Sequence, residues 1–527
     1  MRIFSLFCLF ILLVIGIFVT IVFARLHTRG PALVSAHSDI PITEVKCPER
    51  YPYARCGLIS APLDYQNPAE NSIQVAFIYH QPAFPSFGRK KAVQIVHGGP
   101  GGAISASLDT WNFTEFRMRL MIGNRALLGI DPRGVGLSTK FDCSILEEKH
   151  YAEPGVINTC AEQIGPNRIH ISTANTARDF DLVRRSLGLD QLDIYAFSYG
   201  TNLSTVYASM YPDAVRTLAL DGAYPLVYPD FHPSFYSAMR RQFHQACDRS
   251  GECNGDEALN ALTWAVKELR NNPRPLDFPN KEETSYLDQY DQLNPSLLAS
   301  LVLRQPNIDK SRGAASTIWR VPVIGALIKA QKSGDWSDLE SIAMRAVSYK
   351  TGENLNSSGH SFTVAWAVDC PEMTHPWNDQ SSIADRKAEL TDAASKLPAD
   401  SFDPFTVDEW VARPSELNHY GYCIFWPSPP ENRPTEVRHR LGETRKDLPV
   451  LVINGDYDMA TPLEDAILAN DQFENSQFAR FKNHKHAVLP RSDCAFRLWK
   501  EFLKNKRVED KSMCLDADPL AVSISSK

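Results

Sequence analysis

The stretch LDIYAFSYGTNLS, Leu192 to Ser204, holds a short apolar run that stops at a serine and passes at once into a helix-like pattern. Five or six apolar residues leading directly into a helix read as a buried strand feeding a tight turn. Ser198 stands at the turn, with Gly200 two positions after it and Ala196 two positions before. That is nearly G-x-S-x-G, the sharp strand-to-helix turn that lifts a serine hydroxyl above the carboxyl end of a parallel sheet. Small residues are needed around it because two backbones pass close together. A serine between a strand and a helix is also an ordinary connection, so the motif needs partners before it means chemistry.

The partners occur in the order such a site requires. An acyl-transfer serine needs a base, a carboxylate to orient the base, and donors for the oxyanion. In this architecture the chain order is serine, acid, histidine. Asp456 and Asp458 follow a late apolar run, and His484 and His486 lie near the C-terminus. Asp221, at the end of an earlier strand, is a rival acid. Each aspartate also reads as a turn residue, and the two histidines, flanking a lysine, as surface residues. His97-Gly98-Gly99-Pro100-Gly101-Gly102 follows an apolar run, so amides at Gly98 and Gly99 are candidates for an oxyanion hole with the amide of Tyr199. A glycine loop also suits phosphate, but neither G-x-G-x-x-G nor a G-K-[ST] ending is present.

Around this core the chain alternates strands and helices. SIQVAFIYHQ (72–81), KAVQIV (91–96), RALLGI (125–130), VRTLALD (215–221) and LPVLVING (448–455) read as strands. NTARDFDLVRRSLGL (175–189) has Phe180, Val183 and Leu187 at helical spacing, with Asn175 or Thr176 as its N-cap. The pattern implies an α/β protein whose mostly parallel sheet is covered by helices on both faces. Between residues 224 and 446 it lapses into polar, aromatic and proline-rich sequence with amphipathic helices such as ALNALTWAVKELR (258–270). The sheet resumes afterwards, so this segment is expected to be a mainly helical lid inserted into one domain. The organisation expected is an N-terminal segment (1–24), a linker (25–44), a first core part (45–223), the lid (224–446) and a C-terminal core part (447–527).

The chain has 527 residues, 43% hydrophobic and 22% charged, with a formal net charge of −7 and no basic block long enough to follow a phosphate backbone. Nucleic acid is therefore not an expected partner. Residues 3–24 carry no charge, with Arg2 before them and Arg25 and Arg29 after. The run reads either as a signal peptide cleaved after Val22-Phe23-Ala24 or as a membrane anchor. Both readings export the chain to the periplasm or beyond, and any membrane contact would run through this segment. Cys8 lies inside it, and ten cysteines remain. Neighbours in sequence suggest Cys47–Cys56, Cys143–Cys160, Cys247–Cys253, Cys370–Cys423 and Cys494–Cys514, although sequence alone does not fix connectivity. Zinc-type spacing is absent, so no metal site is expected.

CGLISAPLDYQNP (56–68), HGGPGG (97–102), DPRGVGLS (131–138), FSYGT (197–201), AVDCPE (367–372), CIFWP (423–427), NGDYDMATPLEDA (454–466) and HAVLPRSDCA (486–495) together resemble the α/β-hydrolase fold serine exopeptidases of the prolyl aminopeptidase and tripeptidyl aminopeptidase type. The likeness runs from about residue 45 to 515. It implies the α/β-hydrolase fold, Asp458 as the acid, His486 as the base, and no cofactor. It further implies release of amino acids or short peptides, including tripeptides, from free N-termini, with Glu372 and Asp369 as candidates to hold the substrate ammonium. Each of those two also reads as a surface acid beside a disulfide. Two departures stand out: Ala196 where the elbow usually has glycine, and Lys485-His486-Ala487 where the histidine usually lies between glycines. An esterase or other acyl hydrolase using the same residues is the alternative, and a non-catalytic binding protein a third. The expected partner is a peptide or small acyl substrate, and the expected state a monomer.

Overall fold

The computed structural model describes residues 27–82, 90–107, 125–141, 143, 154–277, 291–303, 318–320, 322–348, 359–414, 419–428, 446–510, 514 and 521–524, with isolated positions 11, 14, 17 and 20. The choice between a cleaved and an anchored N-terminus falls outside these residues. No helix among them is long and apolar enough to cross a membrane.

In chain order the elements that build the site are β1 (Ile42–Val45), β2 (Arg55–Pro62), β3 (Ser72–His80), β4 (Lys91–Val96), β5 (Ala126–Ile130), α1 (Thr173–Ser186), β6 (Gln191–Phe197), α2 (Tyr199–Met210), β7 (Val215–Asp221), α3 (Pro233–Ser250), α4 (Phe362–Glu372), β8 (Val450–Gly455), α5 (Leu463–Asn470), β9 (Ser476–Phe481) and α6 (Asp493–Asn505). The nine strands form one sheet in the order β1-β2-β3-β5-β4-β6-β7-β8-β9. From β5 to β9 all neighbours are parallel, while β1, β2 and β3 add an antiparallel edge.

The period of two along each strand divides the interior. On β6, Leu192, Ile194 and Ala196 join the cluster that includes Phe180 and Val183 of α1 and Leu203 and Val206 of α2. Tyr195 and Phe197 point the other way, into a second cluster with Leu498, Trp499 and Phe502 of α6. Such strands, buried on both faces, are what a parallel sheet sandwiched by helices demands. The DPR motif serves this framework. The buried Arg133 forks through Nε and Nη2 onto both oxygens of Asp179 on α1 at 2.8 and 2.7 Å; Nη2 also reaches the carbonyl of Pro62, and Nη1 those of Leu63 and His170.

β7 and β8 are neighbours in the sheet although 228 residues lie between the end of β7 at Asp221 and the start of β8 at Val450. The described part of that excursion is mainly helical and includes α3 and α4. Two expectations need correction. The helix of 175–189 begins at Thr173, because the Ser172 hydroxyl accepts the amide of Asn175 and caps it. The stretch read as a linker to residue 44 ends in strand, with β1 starting at Ile42, and Ala36 donates to the carbonyl of Ser186 at 2.8 Å. All five disulfides join the expected pairs, Cys47–Cys56, Cys143–Cys160, Cys247–Cys253, Cys370–Cys423 and Cys494–Cys514.

Candidate active site

Ser198 occupies the single residue between β6 and α2, with φ 57° and ψ −138°. A left-handed φ on a non-glycine residue costs about 1–3 kcal/mol and persists only where its surroundings impose it. The imposing contacts are backbone. A Cβ on Gly200 would lie 2.7 Å from the carbonyl oxygens of Val96 and His97, and one on Gly98 would lie 2.4 Å from the Ser198 Cβ. The elbow and the end of β4 therefore touch through two glycines. Ala196 bears none of the strain. It is fully buried in register between Val96 and Leu220, and its methyl is part of the core.

The glycine-rich loop is held from within. The Gly98 carbonyl accepts from the Gly102 amide at 3.2 Å and meets His97 Nδ1 at 2.9 Å. Desolvation pushes the His97 imidazole down to about 4, so near neutral pH the ring is uncharged and Nδ1 carries the proton that this carbonyl accepts. In a trans peptide the next amide, Gly99 N–H, points away from that carbonyl. Gly99 itself is exposed, with φ 133°.

Asp458 is fully buried and saturated with donors. Its Oδ1 accepts the amides of Ala460 and Thr461 at 2.9 Å each, and its Oδ2 accepts the Thr461 hydroxyl at 2.7 Å. The same Oδ2 lies 2.8 Å from His486 Nδ1. That contact places the imidazole proton on Nδ1 and leaves Nε2 as the basic nitrogen. His486 is partly open, with 18% of its side chain exposed. Gly222, at the end of β7, lies directly against it: a Cβ there would stand 3.0 Å from both Cε1 and Nδ1 of the ring. The preceding residue, Asp221, accepts the Ser198 amide on its carbonyl at 3.0 Å, so the carboxyl end of β7 adjoins both the elbow and the His486 ring.

The competing acids have other duties. Asp221 is buried, and its carboxylate receives the amides of Val488 and Leu489 and the hydroxyl of Tyr195. Asp456 holds Arg249, Arg480 and the amide of Asn483. His484 is buried rather than superficial, edge-on to Phe481, with Nδ1 at 2.8 Å from the Lys482 carbonyl. Ala487, in the second unusual position, adopts φ 58°, a conformation that glycine enters more easily.

The two candidate ammonium carboxylates lie near the C-terminal end of α4, both half-buried. Glu372 is already engaged: its Oε1 accepts the Thr173 amide at 2.8 Å and its Oε2 the Thr173 hydroxyl at 2.5 Å. Burial raises the Tyr199 phenol well above its ordinary range, and the negative charges of Glu372 and Asp369 add to this. The Tyr224 phenol is raised in the same way, with Asp369, Asp465 and Asp458 contributing after burial. Both acids therefore act electrostatically on Tyr199, the residue that follows Ser198. Gly222, Thr461, Thr173 and Tyr224 were not singled out by sequence reasoning. The signals available were the need for space at the strand end Asp221-Gly222 and, for Thr461, its place in the Asp458-Met459-Ala460-Thr461-Pro462 element.

No group of His, Cys, Asp and Glu able to hold a metal ion occurs among the described residues.

Residues 91–309 match the family described as alpha/beta hydrolase fold, and residues 410–514 the family described as TAP-like protein. The chain is 26% identical over 479 residues to the serine protease Hip1 of Mycobacterium tuberculosis, covering 84% of this chain and 83% of that one. It is 24% identical over 455 residues to the tripeptidyl aminopeptidase of Streptomyces coelicolor, covering 80% and 75%. A putative hydrolase of Escherichia coli, YuaR, is 24% identical over 471 residues, covering 84% and 83%. With its sheet order, its elbow and the match over residues 91–309, the chain has the α/β-hydrolase fold, and its residues 410–514 are similar to the TAP-like proteins.

Proposed function

We propose that this protein is an exported serine exopeptidase that releases amino acids or short peptides from free N-termini. The observation that carries the reading is the Asp458–His486 pair at 2.8 Å, set against Gly222 at the strand end that also receives the Ser198 amide. Ser198 attacks the scissile carbonyl while His486 Nε2 takes its proton, and Asp458 stabilises the imidazolium that forms. The amides of Tyr199 and of the Gly98–Gly99 segment face the developing oxyanion. His486 then protonates the leaving amine, and water, activated by the same nitrogen, releases the acyl group.

The preference for a free N-terminus rests on Asp369 and Glu372 beside the cleft and on relatives named as a serine protease and a tripeptidyl aminopeptidase. Five disulfides support an oxidising, extracytoplasmic location. A panel of aminoacyl and tripeptidyl fluorogenic amides, each with a free and an acetylated N-terminus, beside short acyl esters, tests the reading. Turnover of free-amine amides with loss on acetylation is expected. Hydrolysis of esters alone, indifferent to the amine, would replace the exopeptidase with the esterase alternative.

A further inference from the structure

α4 touches both halves of the proposed oxyanion hole. At its N-terminal end the Ser361 amide donates to the Gly101 carbonyl at 2.9 Å, inside the glycine-rich loop. The fit is close on two sides: a Cβ on Gly101 would strike the Ser361 carbonyl at 2.2 Å, and one on Gly99 would stand 3.3 Å from His360 Cε1. At its C-terminal end Glu372 reaches Thr173, the first residue of α1. That contact satisfies one of the amides that a helix N-terminus leaves without an internal partner, and it puts the carboxylate at the positive end of the α1 dipole.

From Thr173 the chain of contacts continues to the elbow. Thr173 Oγ1 lies 2.6 Å from the Tyr199 hydroxyl and 2.5 Å from Glu372 Oε2. A threonine hydroxyl has one proton, and an ionised carboxylate can only accept. Thr173 therefore donates to Glu372 and accepts from Tyr199, which fixes the direction of both bonds. Tyr199 follows Ser198 directly, and its side chain is buried.

We propose that Glu372 and Thr173 are positioning residues that lock Tyr199, and with it the amide beside Ser198, so that seating α4 assembles both sides of the oxyanion hole at once. This rests on the serine hydrolase reading above. It also gives Glu372 a duty that does not depend on any substrate amine. α4 is joined covalently to the helix His419–Cys423 by Cys370–Cys423, so movement of that part of the excursion carries to the elbow through Glu372.

The test compares Thr173→Val, Thr173→Ser and Glu372→Gln with the parent protein. The probes are an alkyl fluorophosphonate, an acetyl ester without an amine, and a free-amine tripeptidyl amide. In Thr173→Val both the rate of Ser198 phosphonylation and kcat on the ester are expected to fall about ten- to a hundredfold, with KM little changed. Thr173→Ser restores them, and Glu372→Gln shows a loss on the amine-free ester too. Unchanged phosphonylation and ester kcat in Thr173→Val overturn the proposal. So does a Glu372→Gln defect confined to KM for the free-amine amide, and so does a loss that Thr173→Ser fails to restore. If the parent protein is not phosphonylated at Ser198, the underlying reading falls and the proposal with it. Normal parental labelling with an unaffected Thr173→Val removes the proposal alone.

Discussion

Gly222 and His486 are packed so closely that a methyl group on the glycine would sit 3.0 Å from two atoms of the imidazole. The same Cβ would approach the Thr461 hydroxyl to 2.7 Å, and the glycine adopts φ 65°. Gly222→Ala is therefore strained in its backbone and displaces the His486 ring, the base of the proposed mechanism. Displacement of a catalytic group by about 1 Å costs on the order of a hundredfold, so kcat on any acyl substrate should fall by about that factor. Steady-state kinetics checks this, with circular dichroism to establish that the variant is folded.

Asp458, Asp456 and Asp221 are all fully buried, yet only Asp458 pairs with His486. Asp458→Asn should lower kcat by about 10⁴-fold, because an amide in that place favours the wrong imidazole tautomer. Asp456→Asn and Asp221→Asn should instead lower the melting temperature. Asp456→Asn weakens the hold on Arg249, Arg480 and Asn483, and Asp221→Asn the hold on Val488 and Leu489. Measuring kcat and melting temperature on all three separates a catalytic acid from two structural ones.

Asp369 is half-buried one helical turn before Glu372, and its charge reaches both Tyr199 and Tyr224. Asp369→Asn should raise KM for free-amine peptides about ten- to a hundredfold, the worth of one charge-assisted hydrogen bond. Turnover of an N-acetylated ester should not change. An equal loss on both substrates would make Asp369 structural.

Asp465 on α5 is fully buried, and burial pushes its carboxyl up to about 7. Neither of its oxygens nor the Ser234 hydroxyl finds a well-formed hydrogen bond among the described residues, although Ser234 approaches closely enough to favour the ionised form somewhat. The folded-state value lies above that of the unfolded chain, so the folded protein binds the proton more tightly. Stability is then greatest below about pH 4 from this group alone and declines as the pH rises towards 7. The loss amounts to at most a few kcal/mol, because each tenfold difference in proton affinity between the folded and unfolded chain is worth about 1.4 kcal/mol. Asp465→Asn should remove that slope. Melting temperatures of both proteins at pH 5 and pH 8 check it through their differences, whatever offset the amide introduces.

Cys370–Cys423 closes a separation of 53 residues and ties α4 to the next aromatic segment. In the chain-entropy account a loop of that length contributes about 4 kcal/mol. The double replacement Cys370→Ala, Cys423→Ala should lower stability by roughly that amount in denaturant unfolding, and should reduce kcat more than loss of Cys247–Cys253, which closes only 6 residues within and just beyond α3.

The sequence made the parallel part of the sheet legible because its strands are short, mostly apolar runs, the pattern that burial on both faces requires, whereas the antiparallel edge strands β1 and β2, with more polar residues, were not read. The chain order of Ser198, Asp458 and His486 was legible for a similar reason, since each follows a strand end. Choosing between Asp456 and Asp458 was not possible from spacing, because both follow β8. Only the resemblance to the family distinguished them; in the structure it is Asp458 Oδ2 that lies 2.8 Å from His486 Nδ1. Ala196, which stands where the elbow usually has glycine, is an ordinary buried strand residue; Ser198 carries the left-handed φ, and Gly200 is the residue whose lack of a side chain lets the elbow pass Val96 and His97. Thr173 could not be found from sequence. It lies 25 residues before Ser198 and 199 before Glu372, and nothing local to a threonine at a helix start distinguishes a link from a cap. The ammonium candidates were read as two equivalent acids, whereas in the structure both oxygens of Glu372 accept bonds from Thr173.

The central claim is that Ser198 is a nucleophile activated by His486. Incubation with an alkyl fluorophosphonate followed by mass spectrometry of the digested protein tests it most directly. One adduct is predicted, on the peptide containing Ser198, with labelling lost in Ser198→Ala and slowed by orders of magnitude when His486 is replaced by alanine. An adduct on another residue, or hydrolytic activity that survives Ser198→Ala, would contradict the account.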